Sequence, residues 1–273
     1  MIKRIIPSTG EKLPVIGLGT WQTFDISNHQ LNPLLENVLR KLNKYGGSLI
    51  DSSPMYGLSE QLIGDLMAKI ENPQDYFYAT KVWTTGLQAG IQQMEHSMVK
   101  MRVKTMDLMQ IHNLQDWKTH LPQLKKWKEE GRIRYIGITH YTDSSHTELE
   151  NIMKAENIDF VQFNYSIDSR HAEKRLLDAA ADLGVATLIN RPYGEGSLFQ
   201  KVHGKRLPHW CYDLGIDNWS DYFLKYILMH PAVTCIIPAT NDPVHAKENF
   251  NAGFGAFPDS RLRNKMTDYL QDL

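Results

Sequence analysis

The chain has 273 residues, with 30 Lys and Arg against 31 Asp and Glu, a net charge of −1 at pH 7 and 42% hydrophobic residues. That balance suits a globular protein with a sizeable core and offers no broad charged face to nucleic acid or an anionic membrane. Cys211 and Cys235 have no metal-site spacing and no disulfide partners at framework density, and no run approaches the roughly 18–20 apolar residues of a membrane helix, so a cytoplasmic monomer or weak homo-oligomer is expected.

In chain order, residues 1–14 read as a hairpin turning at Ser8-Thr9-Gly10, and 15–21 as a short buried strand. Leu34, Leu35, Val38, Leu39 and Leu42 have helical spacing, stopped by Gly46-Gly47. A strand over 48–51 follows, then a helix carrying Leu62, Ile63, Leu66 and Met67, with Ser59 as its cap. Strands at 76–82, 106–111, 133–138, 160–164 and 185–189 alternate with helices at 86–102, 118–130, 144–156 and 172–183. An irregular stretch rich in Gly, Pro and His leads to a helix at 218–229, a strand at 233–237, a helix at 243–252 and a helical tail from Pro258.

Eight strand-like runs, each followed by a helical pattern, argue for a parallel sheet closed as a (β/α)8 TIM barrel, with an N-terminal hairpin and a C-terminal helical tail. The competing open doubly wound sheet needs a glycine-rich phosphate turn after its first strand. Gly17-Leu18-Gly19 lacks the third glycine and runs into Thr20-Trp21. No linker or repeat divides the chain, so residues 1–273 read as one domain.

Asp51, Lys81 and His112 end, or immediately follow, three consecutive strands, and Tyr56 lies in the loop after Asp51. Neighbouring strands are about 4.8 Å apart, so the four groups can meet at one barrel face. A phenol of ordinary pKa about 10 is a poor acid at neutral pH, and a nearby ammonium is expected to lower that value. Lys81 supplies the ammonium, Asp51 keeps it protonated, His112 positions a carbonyl oxygen, and Tyr56 becomes the general acid. Such an acid serves hydride delivery to a carbonyl, with a nicotinamide cofactor as hydride source.

These residues carry a resemblance. Gly17-Leu18-Gly19-Thr20-Trp21, Asp51 to Gly57, Lys81-Val82-Trp83, Gln110-Ile111-His112, Gly137 to His140, Gln162-Phe163-Asn164 and Ile236 to Thr240 are similar to the motifs of aldo-keto reductases, nearly end to end. The resemblance implies reduction of a small-molecule aldehyde or ketone with NADPH, NADH being the alternative, bound across the mouth of a (β/α)8 barrel. It implies Asp51, Tyr56, Lys81 and His112 as the catalytic set, and cofactor contacts at Thr20, Trp21, Asp51, Thr139, His140 and Gln162. After the seventh strand many members place a tyrosine that stacks on nicotinamide. Asn190 stands there, so Arg191 and then Tyr193 are the candidates, with Gly194, Gly196, Leu198 and Lys201 toward the pyrophosphate. At the adenosine end, Pro238 keeps the family's Ile-Pro, Ala239, Thr240 and His245 stand where NADPH-specific members have Lys-Ser and Arg, and Glu248 and Asn249 match the adenine contacts.

Trp21, Met55, Trp83 and Asn113 are the expected substrate contacts, and His203, His209 and Trp210 candidates for a lid. Eleven histidines invite a metal, but no H-x-x-x-H or Cys/His cluster occurs in sequence, so none is expected. Two alternatives are a catalytically silent NADPH-binding regulatory subunit of the same fold and a Schiff-base lyase using Lys81.

Overall fold

A computed structural model describes residues 1–27, 32–255, 257 and 259–273. Pro258, where the expected helical tail begins, lies outside the described residues. Eight parallel strands run in the order β3 (Leu18–Gly19), β4 (Leu49–Asp51), β5 (Phe77–Val82), β6 (Met106–His112), β7 (Ile133–Thr139), β8 (Phe160–Asn164), β9 (Ala186–Asn190) and β10 (Cys235–Ile236). The seam between β10 and β3 closes through bridges Ile16–Ile236 and Gly19–Ala239, with Gly17 N donating to Ile236 O at 2.8 Å. This is the expected barrel. β1 (Lys3–Ile5) and β2 (Lys12–Pro14) form the antiparallel N-terminal hairpin.

Helices α1 (Asn32–Lys44), α2 (Ser59–Met67), α3 (Leu87–Met101), α4 (Trp117–Glu129), α5 (His146–Ala155), α6 (Leu176–Asp182), α7 (Ser197–Lys201), α8 (Trp219–Leu228), α9 (Pro243–Asn251) and α10 (Ser260–Gln271) follow the strands. Their apolar faces, such as Leu35, Val38, Leu39 and Leu42 of α1, bury against the outer faces of the strands.

Side chains alternate across a strand with period two, so each barrel strand has one inward set. Leu49, Phe77, Ala79, Leu108, Tyr135, Phe160, Ala186, Leu188, Cys235 and Ile237 form one buried cluster with Ile6 and Leu13 of the hairpin. Phe77, Tyr135 and Phe160 pack ring to ring at 5.4–6.1 Å in it. Two residues further along the same strands, on the same face, stand Asp51, Lys81, Gln110 and Gln162. The barrel interior is therefore apolar toward the hairpin and polar toward the strands' carboxyl ends.

Several local expectations change. The first strand is only Leu18–Gly19, with Ile16 in an isolated bridge, rather than 15–21. The last is Cys235–Ile236 rather than 233–237, since Pro238 has no N–H for the ladder. Ser59 does not cap α2: its hydroxyl donates to Thr20 Oγ1 and pairs with Ser52 Oγ, both at 2.9 Å. The expected helix at 172–183 is a 3-10 turn and α6, broken at Arg175 (φ −156°, ψ −41°). Before the break, Glu173 accepts hydrogen bonds from Tyr165 and Tyr226 at 2.8 and 3.0 Å, distant partners that no local pattern carries. The irregular stretch contains α7 and a 3-10 turn, His209–Leu214.

Gly17, bonded to Ile236 across the seam and packed beside Leu49 at the start of β4, has no room for a side chain. A Cβ on Gly17 would lie 2.8 Å from Leu49 O and 3.0 Å from Leu49 Cβ. Gly17→Ala is expected to destabilise the fold by about 1–3 kcal/mol, the cost of overpacking. A urea midpoint equal to that of the unaltered chain would contradict this packing.

Candidate active site

Lys81 is fully buried, and its ammonium donates to Asp51 Oδ2 and to Ser52 O, both at 2.6 Å. The second carboxylate oxygen, Asp51 Oδ1, accepts from Gln110 Nε2 at 2.8 Å and Gln162 Nε2 at 3.0 Å. A buried charge is tolerated when it is paired and its remaining hydrogen-bonding capacity is filled, and both charges here meet that condition. Burial works against the Lys81 charge, but Asp51 outweighs it and the pKa stands above the ordinary lysine value. A lysine held protonated and away from the cavity is a poor Schiff-base nucleophile, which removes the support for the lyase alternative.

Gln110 is the residue that sequence reasoning quoted without a role. It points inward because it sits two residues before His112 on β6. Gly137 makes room for it: a Cβ there would lie 2.8 Å from Gln110 Cγ.

Tyr56 lies with its ring centroid 5.0 Å from Lys81 Nζ and packs edge-on against His112 at 5.8 Å. Its phenol is not lowered as expected. Burial raises its pKa, Lys81 draws it down by charge and hydrogen bonding, Asp51 raises it, and the net direction is upward. The cause is burial, which a sequence does not weigh. His112 is pushed down to about 2, first by burial and then by the charges of Lys81 and His140, so its imidazole is neutral at physiological pH. Ser53 Oγ holds the ring through Nδ1 at 2.9 Å.

These groups line a cavity of about 590 Å³ at the carboxyl ends of the strands. Of the residues expected from sequence, Thr20, Trp21, Asp51, Met55, Tyr56, Trp83, His112, Asn113, Thr139, Gln162, Arg191, Tyr193, Gly196 and Ala239 line it. Lys81 lies behind the wall. His140, Gly194, Leu198, Lys201, Pro238, Thr240, His245, Glu248 and Asn249 are not among the lining residues, and neither are His203, His209 and Trp210. Trp210 packs on Tyr222 instead, with Lys265 over its ring at 4.7 Å.

Four placements differ in detail from the sequence expectation. Gln162 has no spare hydrogen-bonding capacity: Nε2 donates to Asp51 and Gln110, and Oε1 accepts from Thr139 and Asn190. Asn249 is buried, with Oδ1 taken by Tyr193 and Ser220 at 2.6 and 2.7 Å. That contact also holds Tyr193 by its hydroxyl. Arg191 lies 4.2 Å over the ring of Tyr141 and pairs with Glu195 at 2.8 Å. Tyr141, Gln22, Thr23, Asn190 and Phe199 line the cavity without a role having been read for them; Gln22, Thr23 and Tyr141 are loop residues with no strand parity to mark them, and Phe199 lies on α7.

The model of the aldo/keto reductase family matches residues 15–264. An aldo-keto reductase of Mycolicibacterium smegmatis is 28% identical over 72% of this chain and 70% of its own. L-galactose dehydrogenase of Arabidopsis thaliana is 26% identical over 50% of this chain, about half of its own length at 47%. Among solved structures, an aldo-keto reductase from Klebsiella pneumoniae in complex with NADPH superposes with a TM-score of 0.80, at 20% identity over 99% of this chain and 96% of that one. The holo form of one from Bacillus halodurans gives 0.78 at 21% identity, over 99% and 96%.

The His112 shift has a stability consequence. Below its ordinary pKa of 6.5 the unfolded chain takes up a proton that the native ring refuses until about pH 2. The contribution of His112 is thus complete above pH 6.5 and is lost as pH falls toward 2. Urea unfolding at pH 7 and pH 4.5 should show the unaltered chain losing more stability than His112→Asn. Equal losses would contradict a buried neutral imidazole.

Proposed function

This chain belongs to the aldo/keto reductase family of NAD(P)H-dependent oxidoreductases, and we propose that it reduces an aldehyde or ketone to an alcohol with NADPH, Tyr56 supplying the proton. The observation that carries this reading is the convergence at one cavity of a buried ion pair, a phenol and a neutral imidazole.

The cavity fits a nicotinamide on its own chemistry. Asn190 Oδ1 is buried without a hydrogen-bond partner among the described residues, while Asn190 Nδ2 is engaged by His140 O and Gln162 Oε1. An orphaned buried acceptor is costly, and a carboxamide N–H would satisfy it. Asn190 would therefore hold that group beside Thr139, in place of the saturated Gln162. The Arg191–Tyr141 stack would flank it.

Bound NADPH would supply the hydride. Negative charge then develops on the substrate oxygen, and Tyr56, protonated at neutral pH, is placed to neutralise it. Lys81 stabilises the phenolate left behind, and Asp51 keeps Lys81 protonated. His112 cannot be the acid, because a conjugate acid of pKa about 2 is absent at neutral pH. It orients the carbonyl instead. Trp21, Met55 and Trp83 give the cavity apolar walls, which suits a substrate with an apolar body around one carbonyl.

Tyr56→Phe should lower NADPH oxidation with a reactive probe such as 4-nitrobenzaldehyde by roughly 10²–10⁴-fold, the usual worth of a general acid. NADPH affinity, read by quenching of Trp21 and Trp83 fluorescence, should stay within about twofold of the unaltered chain, a bound set well below the ~1.4 kcal/mol of a tenfold change. Unchanged turnover would remove Tyr56 as the donor. An unaltered chain that binds NADPH tightly but oxidises it with no member of a broad aldehyde panel would favour the silent binding subunit.

A further inference from the structure

A second group of side chains gathers between the loops that follow β7 and β8, outside the cavity already described. Asp143 opens a 3-10 turn, His146 is the first residue of α5, and His171 opens the 3-10 turn after β8. One ligand atom from each lies within 4.8 Å of the other two. No sequence spacing advertises them, because 25 residues separate the two histidines.

The hydrogen bonds around the group determine which atoms carry lone pairs. Asn164 Nδ2 donates to the Asp143 carboxylate at 2.6 Å and to Ser169 Oγ at 3.3 Å. A carboxylate only accepts, so the Asn164 amide is oriented and its Oδ1 is left as an acceptor. That Oδ1 lies 3.0 Å from His146 Nε2, which must carry the ring proton. His146 is buried, and a ring with its proton on Nε2 leaves Nδ1 bare. Its Nδ1 is then a lone pair, and it faces His171 Nδ1 at 3.0 Å. A polar partner on the far nitrogen is how metal-ligating histidines are oriented.

We propose that Asp143, His146 and His171 form a binding site for a divalent transition-metal ion of the zinc class. Two imidazole nitrogens on one such ion, each at roughly 2.0–2.1 Å, stand about 3.3 Å apart in a tetrahedron. The rings need to part by only about 0.3 Å to reach that spacing. Asp143 and His171 also line an open cleft of about 600 Å³ that gives access from solvent and room for a water ligand. Arg170, Lys174, Asp168 and Glu173 line the same cleft. The competing arrangement is a proton on His171 Nδ1 donated to His146 Nδ1. The ion would take the place of that proton, which a neutral imidazole carries equally well on His171 Nε2. Occupancy ties the loop after β7, which follows Thr139, to the loop after β8, which follows Asn164.

The test is a Co²⁺ titration of the full chain, freed of metal by a chelator and dialysed, read by visible d–d absorption. One saturable equivalent is expected, with affinity lowered at least ~10-fold in both His171→Ala and Asp143→Asn and displaced by Zn²⁺. Asp143 is half-exposed, so its variant decides the matter if His171→Ala fails to fold. NADPH quenching measured alongside shows that each variant is native. No saturable band in the unaltered chain, or unchanged Co²⁺ affinity in Asp143→Asn, overturns the proposal.

Discussion

The contact between the Lys81 ammonium and the Asp51 carboxylate, 2.6 Å long and closed to solvent, is the constraint on which the rest of the site depends. Removing two charges from water costs several kcal/mol per ion, and a buried pair rarely gains stability over apolar residues of the same volume. It persists only where its surroundings complete it. Here Gln110, Gln162 and Ser52 O do so. Gly137 is constrained in turn, because it clears space for Gln110. Breaking the pair from one side would strand a charge at a cost of about 3–5 kcal/mol, so the arrangement stands or falls as a unit.

That unit fixes the division of labour in the proposed reaction. Lys81 brings a positive charge close to the Tyr56 ring without being exposed to substrate. The same charge, added to burial, keeps His112 neutral. One interaction therefore favours the phenolate that would remain after proton transfer and suppresses a competing acid beside it. Burial keeps the proton on Tyr56 until charge develops nearby, as expected of a donor that should not ionise in the resting state.

Much of this was legible in the sequence because barrel strands obey a simple parity. Once βα alternation is recognised, Asp51, Lys81 and His112 fall near the carboxyl ends of neighbouring strands, and the period of two turns them inward together. Gln110 obeys the same parity and could have been found by it. Quantities that depend on three-dimensional surroundings were not legible. The direction of the Tyr56 shift depends on how much water is excluded, and the saturation of Gln162 on partners from four other strands, each more than 20 positions away in the chain. Arg191, a stacking candidate from its sequence position, stacks on Tyr141, 50 positions away, and only folding reveals that pairing. The break at Arg175 has the same origin in distant partners of Glu173.

The central claim is that the charge of Lys81 acts on the Tyr56 phenol. The most direct measurement is a pH titration of Tyr56 by NMR of ¹³Cζ-labelled tyrosine, its resonance assigned by loss in a Tyr56→Phe sample. The comparison is the double variant Asp51→Asn/Lys81→Met, which removes the ion pair and leaves no unpaired charge. The unaltered chain should keep the phenol protonated through neutral pH. The double variant should titrate at higher pH still, because the lowering by Lys81 exceeds the raising by Asp51. A Tyr56 titration that is the same in both samples, or that moves to lower pH in the double variant, would contradict the account.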